Sequence, residues 1–257
     1  MIMRNKFLAA VVIGVAITML AMVSAPAGAS PITFTGSGTN PNTGVAISAS
    51  AAFDIVGGNL QVILTNTGSD VLAPTDVLTG VFFDITGNPL LSKISATLAT
   101  GSSVLFGKSD PGGVVGGEWA YTNNASGSPG GAREGISSTG LGIFGTGDLF
   151  PGTNLQGPVS VDGLQYGITS GADNSATGNK AVKGANALIK NSVVFTLNNS
   201  QSDFTLSQIS NVSFQYGTAL DEPSLPGNSV PEPATMLLLG IGMIGLAGFG
   251  RKKFKKS

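Results

Sequence analysis

Glu118 and Glu134 flank a glycine-rich stretch, and Trp119 and Tyr121 lie beside the first of them. Two carboxyls next to aromatic rings are what a glycoside-cleaving site uses, with the rings stacking on the sugar. The simpler reading is structural. In Glu118-Trp119-Ala120-Tyr121 a two-residue alternation puts both rings on one face, the core, and Glu118 on the other. A second pattern, Gly140-Leu141-Gly142-Ile143-Phe144-Gly145 with Asp162 downstream, has the spacing of a dinucleotide-binding turn. That chemistry needs a helix N-terminus facing the pyrophosphate, and Thr146-Gly147-Asp148 followed by Pro151-Gly152 does not open a helix. Asp70, Asp76, Asp84, Asp148, Asp162 and Asp173 can offer hard oxygen ligands to calcium from separate loops, although none stands in the spacing of an EF-hand. Aspartate is equally favoured in turns because it bonds its own backbone.

The composition removes most other chemistry. Among 257 residues there is no histidine and no cysteine. A Ser-His-Asp triad, a Cys-His pair and an ordinary zinc site all need imidazole or thiolate, and a disulfide framework needs cysteine. Only 11% of the chain is charged, while 42% is hydrophobic and 38 residues are glycine. Such a chain resembles an extracellular all-β protein more than a highly charged disordered one. No catalytic residue, metal site or cofactor is expected, and the reading is of a protein that is not an enzyme.

The termini carry an address. Residues 1–29 run from a short basic start at Arg4 and Lys6 through an apolar stretch to a small-residue segment in which Ala27 and Ala29 occupy the positions a signal peptidase reads. Ser30 is then the expected mature start. At the other end, Pro231-Glu232-Pro233 precedes 17 uncharged residues, 234–250, and a tail with Arg251, Lys252, Lys253, Lys255 and Lys256. As a helix, that uncharged segment covers roughly 26 Å, slightly less than the ~30 Å hydrocarbon core. The cations are expected to stay cytoplasmic, leaving everything before Pro231 outside the inner membrane. The two prolines hold the tripeptide extended where the membrane helix begins.

Together the tripeptide, the apolar glycine-rich helix and the basic cluster resemble the PEP-CTERM sorting signal of exosortase-dependent surface proteins in Gram-negative bacteria. The resemblance implies that an exosortase recognises Pro231, Glu232 and Pro233, removes the helix and tail, and releases or attaches the ectodomain at the cell surface. Without its ends, the chain from 30 to 230 holds six basic and 13 acidic residues, a net of −7. That charge disfavours nucleic acid as a partner.

Hydrophobic alternation sets the fold class. Val45, Ile47, Ala49, Ala51, Phe53 and Ile55 share one face, Gly57-Gly58 supplies a tight reversal, and Leu60, Val62 and Leu64 resume the pattern, so 45–67 is predicted to be a hairpin. Further strands are predicted at 32–36, 77–85, 92–98, 102–107, 117–122, 164–169, 192–197 and 210–217, with one short helix near 181–189. The expectation is an all-β ectodomain over 30–220, a β-sandwich or jelly-roll-like fold with glycine-rich loops. Residues 221–230 are expected to link it to the sorting signal at 231–257. The functional reading is an exported surface or matrix protein with a structural or interaction role in envelope, exopolysaccharide matrix or biofilm. The alternative is a calcium- or carbohydrate-binding surface module.

Overall fold

The computed structural model describes residues 30–156, 161, 163–199 and 204–231. The chain divides into two units, 1–30 and 31–257, and the fold belongs to the second. It is all-β. Among the described residues fourteen strands run in the order β1 (Ile32–Thr39), β2 (Ala46–Val56), β3 (Asn59–Asn66), β4 (Leu78–Ile85), β5 (Leu91–Leu98), β6 (Ser103–Leu105), β7 (Ala120–Thr122), β8 (Glu134–Ser137), β9 (Ile168–Thr169), β10 (Leu188–Lys190), β11 (Ser192–Asn199), β12 (Ile209–Tyr216), β13 (Ser224–Pro226) and β14 (Asn228–Val230). The first sheet has the order β14-β1-β2-β3-β11-β5 and is antiparallel throughout. The second has the order β13-β12-β4-β9-β10-β6, with β8 beside β4 and β7 beside β8; β9 and β10 run parallel.

The predicted hairpin is present. β2 and β3 pair from Ala49↔Asn66 to Val56↔Asn59, which leaves Gly57 and Gly58 as the two loop residues. Their φ values of 58° and 80° are those of a type I′ turn, whose twist matches that of the flanking strands. Ile47, Ala49, Ala51, Phe53, Leu60, Val62 and Leu64 are buried, whereas Ser48, Ser50, Gln61 and Thr65 are half-buried. One face of the first sheet therefore looks into a core that also takes Leu78, Val81, Phe83, Ile85, Val212 and Phe214 from the second sheet. Phe53 and Phe83 meet across the sheets edge to face, with centroids 5.1 Å apart. Phe195 of β11 packs against Trp119 at 4.9 Å and Phe150 at 5.5 Å.

The second sheet is covered on its outer face as well. Adjacent residues in a strand point to opposite sides, and Val81 and Phe83 face the main core while Phe82 joins Ala125 and Ala132 in a separate cluster against Leu141, Ile143 and Phe144. Likewise Ile189 faces the core, and Leu188 meets Val71, Val77, Leu164 and Val182. The glycine-rich segments between 108 and 185 thus fold back over this sheet. That double coverage explains why β4 is nearly continuous in apolar residues.

Several expectations are corrected. Residues 181–189 are not one helix: a single wide turn, Ala181–Ala185, ends where Gly184 takes φ 112°, and the chain then enters β10. The strand expected at 117–122 begins only at Ala120, because Gly116–Glu118 form a short 3-10 turn. Side chains at Gly116 and Gly117 would overlap the carbonyls of Pro151 and Thr153. β1, β2 and β3 are joined as a meander within the first sheet, after which β11 lies between β3 and β5. Residues 221–230, expected as a linker, contribute β13 to the second sheet and β14 to the first.

Because Phe195 carries both ring contacts in the centre of the core, Phe195→Ala is predicted to lower stability by about 3–5 kcal/mol. Urea unfolding should show a lower midpoint at unchanged slope; a loss under about 1 kcal/mol would contradict this packing.

Candidate functional site

Each candidate carboxylate is held by the fold. Glu118 closes the 3-10 turn and is buried, contrary to the expectation that alternation leaves it on an outer face. Its Oε1 accepts the backbone N–H groups of Leu155 at 2.6 Å and Gln156 at 2.9 Å, fastening a loop to the core. Glu134 starts β8, is buried, and accepts the Tyr121 hydroxyl at 2.6 Å. The two glutamates thus serve different local partners. Trp119 is fully buried and Tyr121 nearly so, as expected of packing residues, and the Trp119 ring has no face open to a sugar.

Burial pushes the Glu134 carboxyl above its ordinary range; the Tyr121 hydroxyl and Arg133 oppose that shift, and Asp84 adds to it. Burial, aided by the charge of Glu134, raises Tyr121 far above a normal phenol. Burial beside Glu118 raises Tyr166 to about 12, and its hydroxyl donates to the Lys108 carbonyl at 2.8 Å. These tyrosines stay protonated at physiological pH and act as donors.

The turn aspartates are pins. Asp76, buried at the end of a 3-10 turn, accepts the Asn40 amide at 2.6 Å, the Thr43 hydroxyl at 2.7 Å and the N–H groups of Leu72 and Ala73 at 3.1 Å. Asp173 receives the Val71 N–H at 2.9 Å, and Asp70 receives the Asn174 N–H at 3.0 Å, so two loops are stitched twice. Asp84 holds the Arg133 N–H and the Asn211 amide, and Asp148 holds the Gly145 N–H. Asp162 lies outside the described residues. Among the described residues no three carboxylates gather where they could hold a metal ion. Gly140–Gly145 leads into a 3-10 turn of three residues, Thr146–Asp148, which supplies no helix N-terminus for a pyrophosphate.

A polar cavity of about 180 Å³ lies where β5 and β7 approach the 146–148 turn. Ser92, Lys93, Tyr121, Thr122, Asn123 and Asp148 line it, and the Lys93 ammonium donates to the Gly147 carbonyl at 2.9 Å. Sequence reasoning did not single out Lys93 or Asn123; no periodic or motif signal marks them, because turns bring them together.

The other candidate site is where the chain leaves the fold. β14 pairs with β1 through Thr33↔Val230, Phe34↔Ser229 and Thr35↔Asn228, and Pro231 follows directly, exposed. Sequence reasoning missed this strand, since the three residues Asn228, Ser229 and Val230 are too few to show alternation. Ser30, the expected mature start, is exposed. Ala27, Ala29, Glu232, Pro233, the apolar stretch 234–250 and the cations Arg251, Lys252, Lys253, Lys255 and Lys256 lie outside the described residues. Among the described residues no helix is long and apolar enough to cross a membrane.

The buried Glu134 gives a pH test. A carboxyl whose pKa is raised on folding contributes full stability below its unfolded value, near 4.5, and loses it as pH rises through the folded value. Glu134→Gln keeps an acceptor for Tyr121 and removes that proton, so its stability in urea should be flatter than wild type above pH 4.5 and no lower at pH 7. An unchanged pH profile would contradict the assignment.

No curated protein and no solved structure matches the chain. Residues 229–252 match the family described as the PEP-CTERM protein-sorting motif. The chain therefore carries a PEP-CTERM sorting motif whose first two residues are the last two of β14, and that motif marks it as an exosortase-targeted, exported protein of the cell envelope.

Proposed function

We propose that this protein is a cell-surface or extracellular-matrix component whose β-sandwich ectodomain, from Ser30 to about Val230, is the delivered part. Its role is structural or interactive, in the envelope, exopolysaccharide matrix or biofilm, and not catalytic. The single observation that carries this reading is the position of the sorting motif, which starts inside the final strand and leaves nothing between the folded unit and the processing signal. The start of the folded unit at Pro31 supports a mature chain beginning near Ser30. The burial of Glu118, Glu134, Trp119 and Tyr121 supports a stabilising part for these residues. In this reading a signal peptidase acts at Ala27-Gly28-Ala29, the C-terminal helix holds the precursor in the membrane, and an exosortase removes it.

The processing step has a direct readout. Mass spectrometry of the mature protein should find a C-terminus near Pro231. Chains with Pro231→Ala and Pro233→Ala together should retain Ser257 and accumulate in the membrane fraction. An intact Ser257 in wild type would contradict the proposal and leave a simple membrane-anchored ectodomain.

A further inference from the structure

The last two strands are held very differently. β13 is anchored by Leu225, which is buried and pairs with Phe214 of β12. Leu225 sits over two glycines of β1, where a Cβ at Gly36 would come within 3.1 Å of it and one at Gly38 within 2.8 Å. Gly227 is fastened by its N–H to the Val212 carbonyl at 2.7 Å. Beyond that point none of the described residues is buried. Asn228, Ser229 and Val230 are all exposed, Val230 to 46%, and β14 has one neighbour, β1.

The sorting motif begins at Ser229, so two residues belong both to the sheet and to the processing signal. Three residues separate Val230 from the apolar segment starting at Ala234, a reach of about 10 Å in extended chain. A processing cleft takes an extended peptide with both backbone edges free, whereas Ser229 and Val230 of the motif are paired to β1. Lifting three residues off β1 frees them and adds about another 10 Å of reach.

We propose that β14 is a releasable strap. Processing requires Asn228–Val230 to leave β1, while Leu225 and Gly227 stop the opening there and keep the two sheets closed. This inference rests on the exosortase reading above and adds that the folded domain controls access to its own sorting signal.

A disulfide between β14 and β1 tests it in the full chain, which contains no cysteine of its own. Thr35→Cys with Asn228→Cys joins a paired position outside the sorting motif. In cells carrying the exosortase, the oxidised double variant should be trimmed at least tenfold more slowly than wild type. The single variants, and the double variant under reductant, should be trimmed normally. A ten-residue Gly/Ser spacer between Asn228 and Ser229 should restore trimming of the oxidised chain, because it moves the motif away from the lock. Trimming of the oxidised chain at the wild-type rate overturns the strap while leaving the sorting reading intact, and so does failure of the spacer to restore it. Wild type that is never trimmed removes the sorting reading and the strap with it.

Discussion

At one edge of the molecule, Leu225 fills space that two glycines in β1 leave free, and the termination of the fold depends on that contact. With Leu225 seated, β13 completes the second sheet, and Gly227 carries the chain across to the first, where β14 completes it. Sheets end at edges, and an unpaired edge invites association with other chains. Here residues 224–230 form a short edge strand on each sheet, the last two of them already within the sorting motif, so the approach to that motif is part of the architecture.

Behind that edge the core relies on apolar packing, with no cysteine to cross-link it. Phenylalanines from both sheets interlock in the core, and aromatic pairs of this kind add to simple area burial. The long loops are not left to packing. Asp70, Asp76, Asp173 and Glu118 each accept backbone N–H groups, which satisfies donors that a loop lacking a ladder would otherwise leave unpaired. Several of the scarce charges therefore stand where irregular backbone needs acceptors, Glu118 among them, while the buried Glu134 accepts the Tyr121 hydroxyl instead.

Legibility in the sequence followed burial. β2 and β3 could be read because one face is buried and the other is not, so every second residue is apolar, and the Gly57-Gly58 turn has its own signature. β4 was recognisable as an apolar run, although its sequence did not say that loops cover its outer face. β8, β10, β13 and β14 are three or four residues long, too short for any period to show, and their pairing is decided by distant partners such as Val81, Val104, Phe214 and Phe34. Glu118 misled because alternation was assumed through a 3-10 turn. The sorting tripeptide was readable because its prolines and the following apolar stretch are local features; its junction with the fold was not, because pairing with β1 joins residues almost two hundred positions apart.

The account turns on whether residues 224–230 are folded in the intact protein. Amide hydrogen exchange reads this directly. The account predicts measurable protection at Leu225 and Gly227 and weaker but detectable protection at 228–230, both lost when Leu225 is replaced by Ala. Exchange of the whole segment at the rate of an unstructured peptide would contradict it.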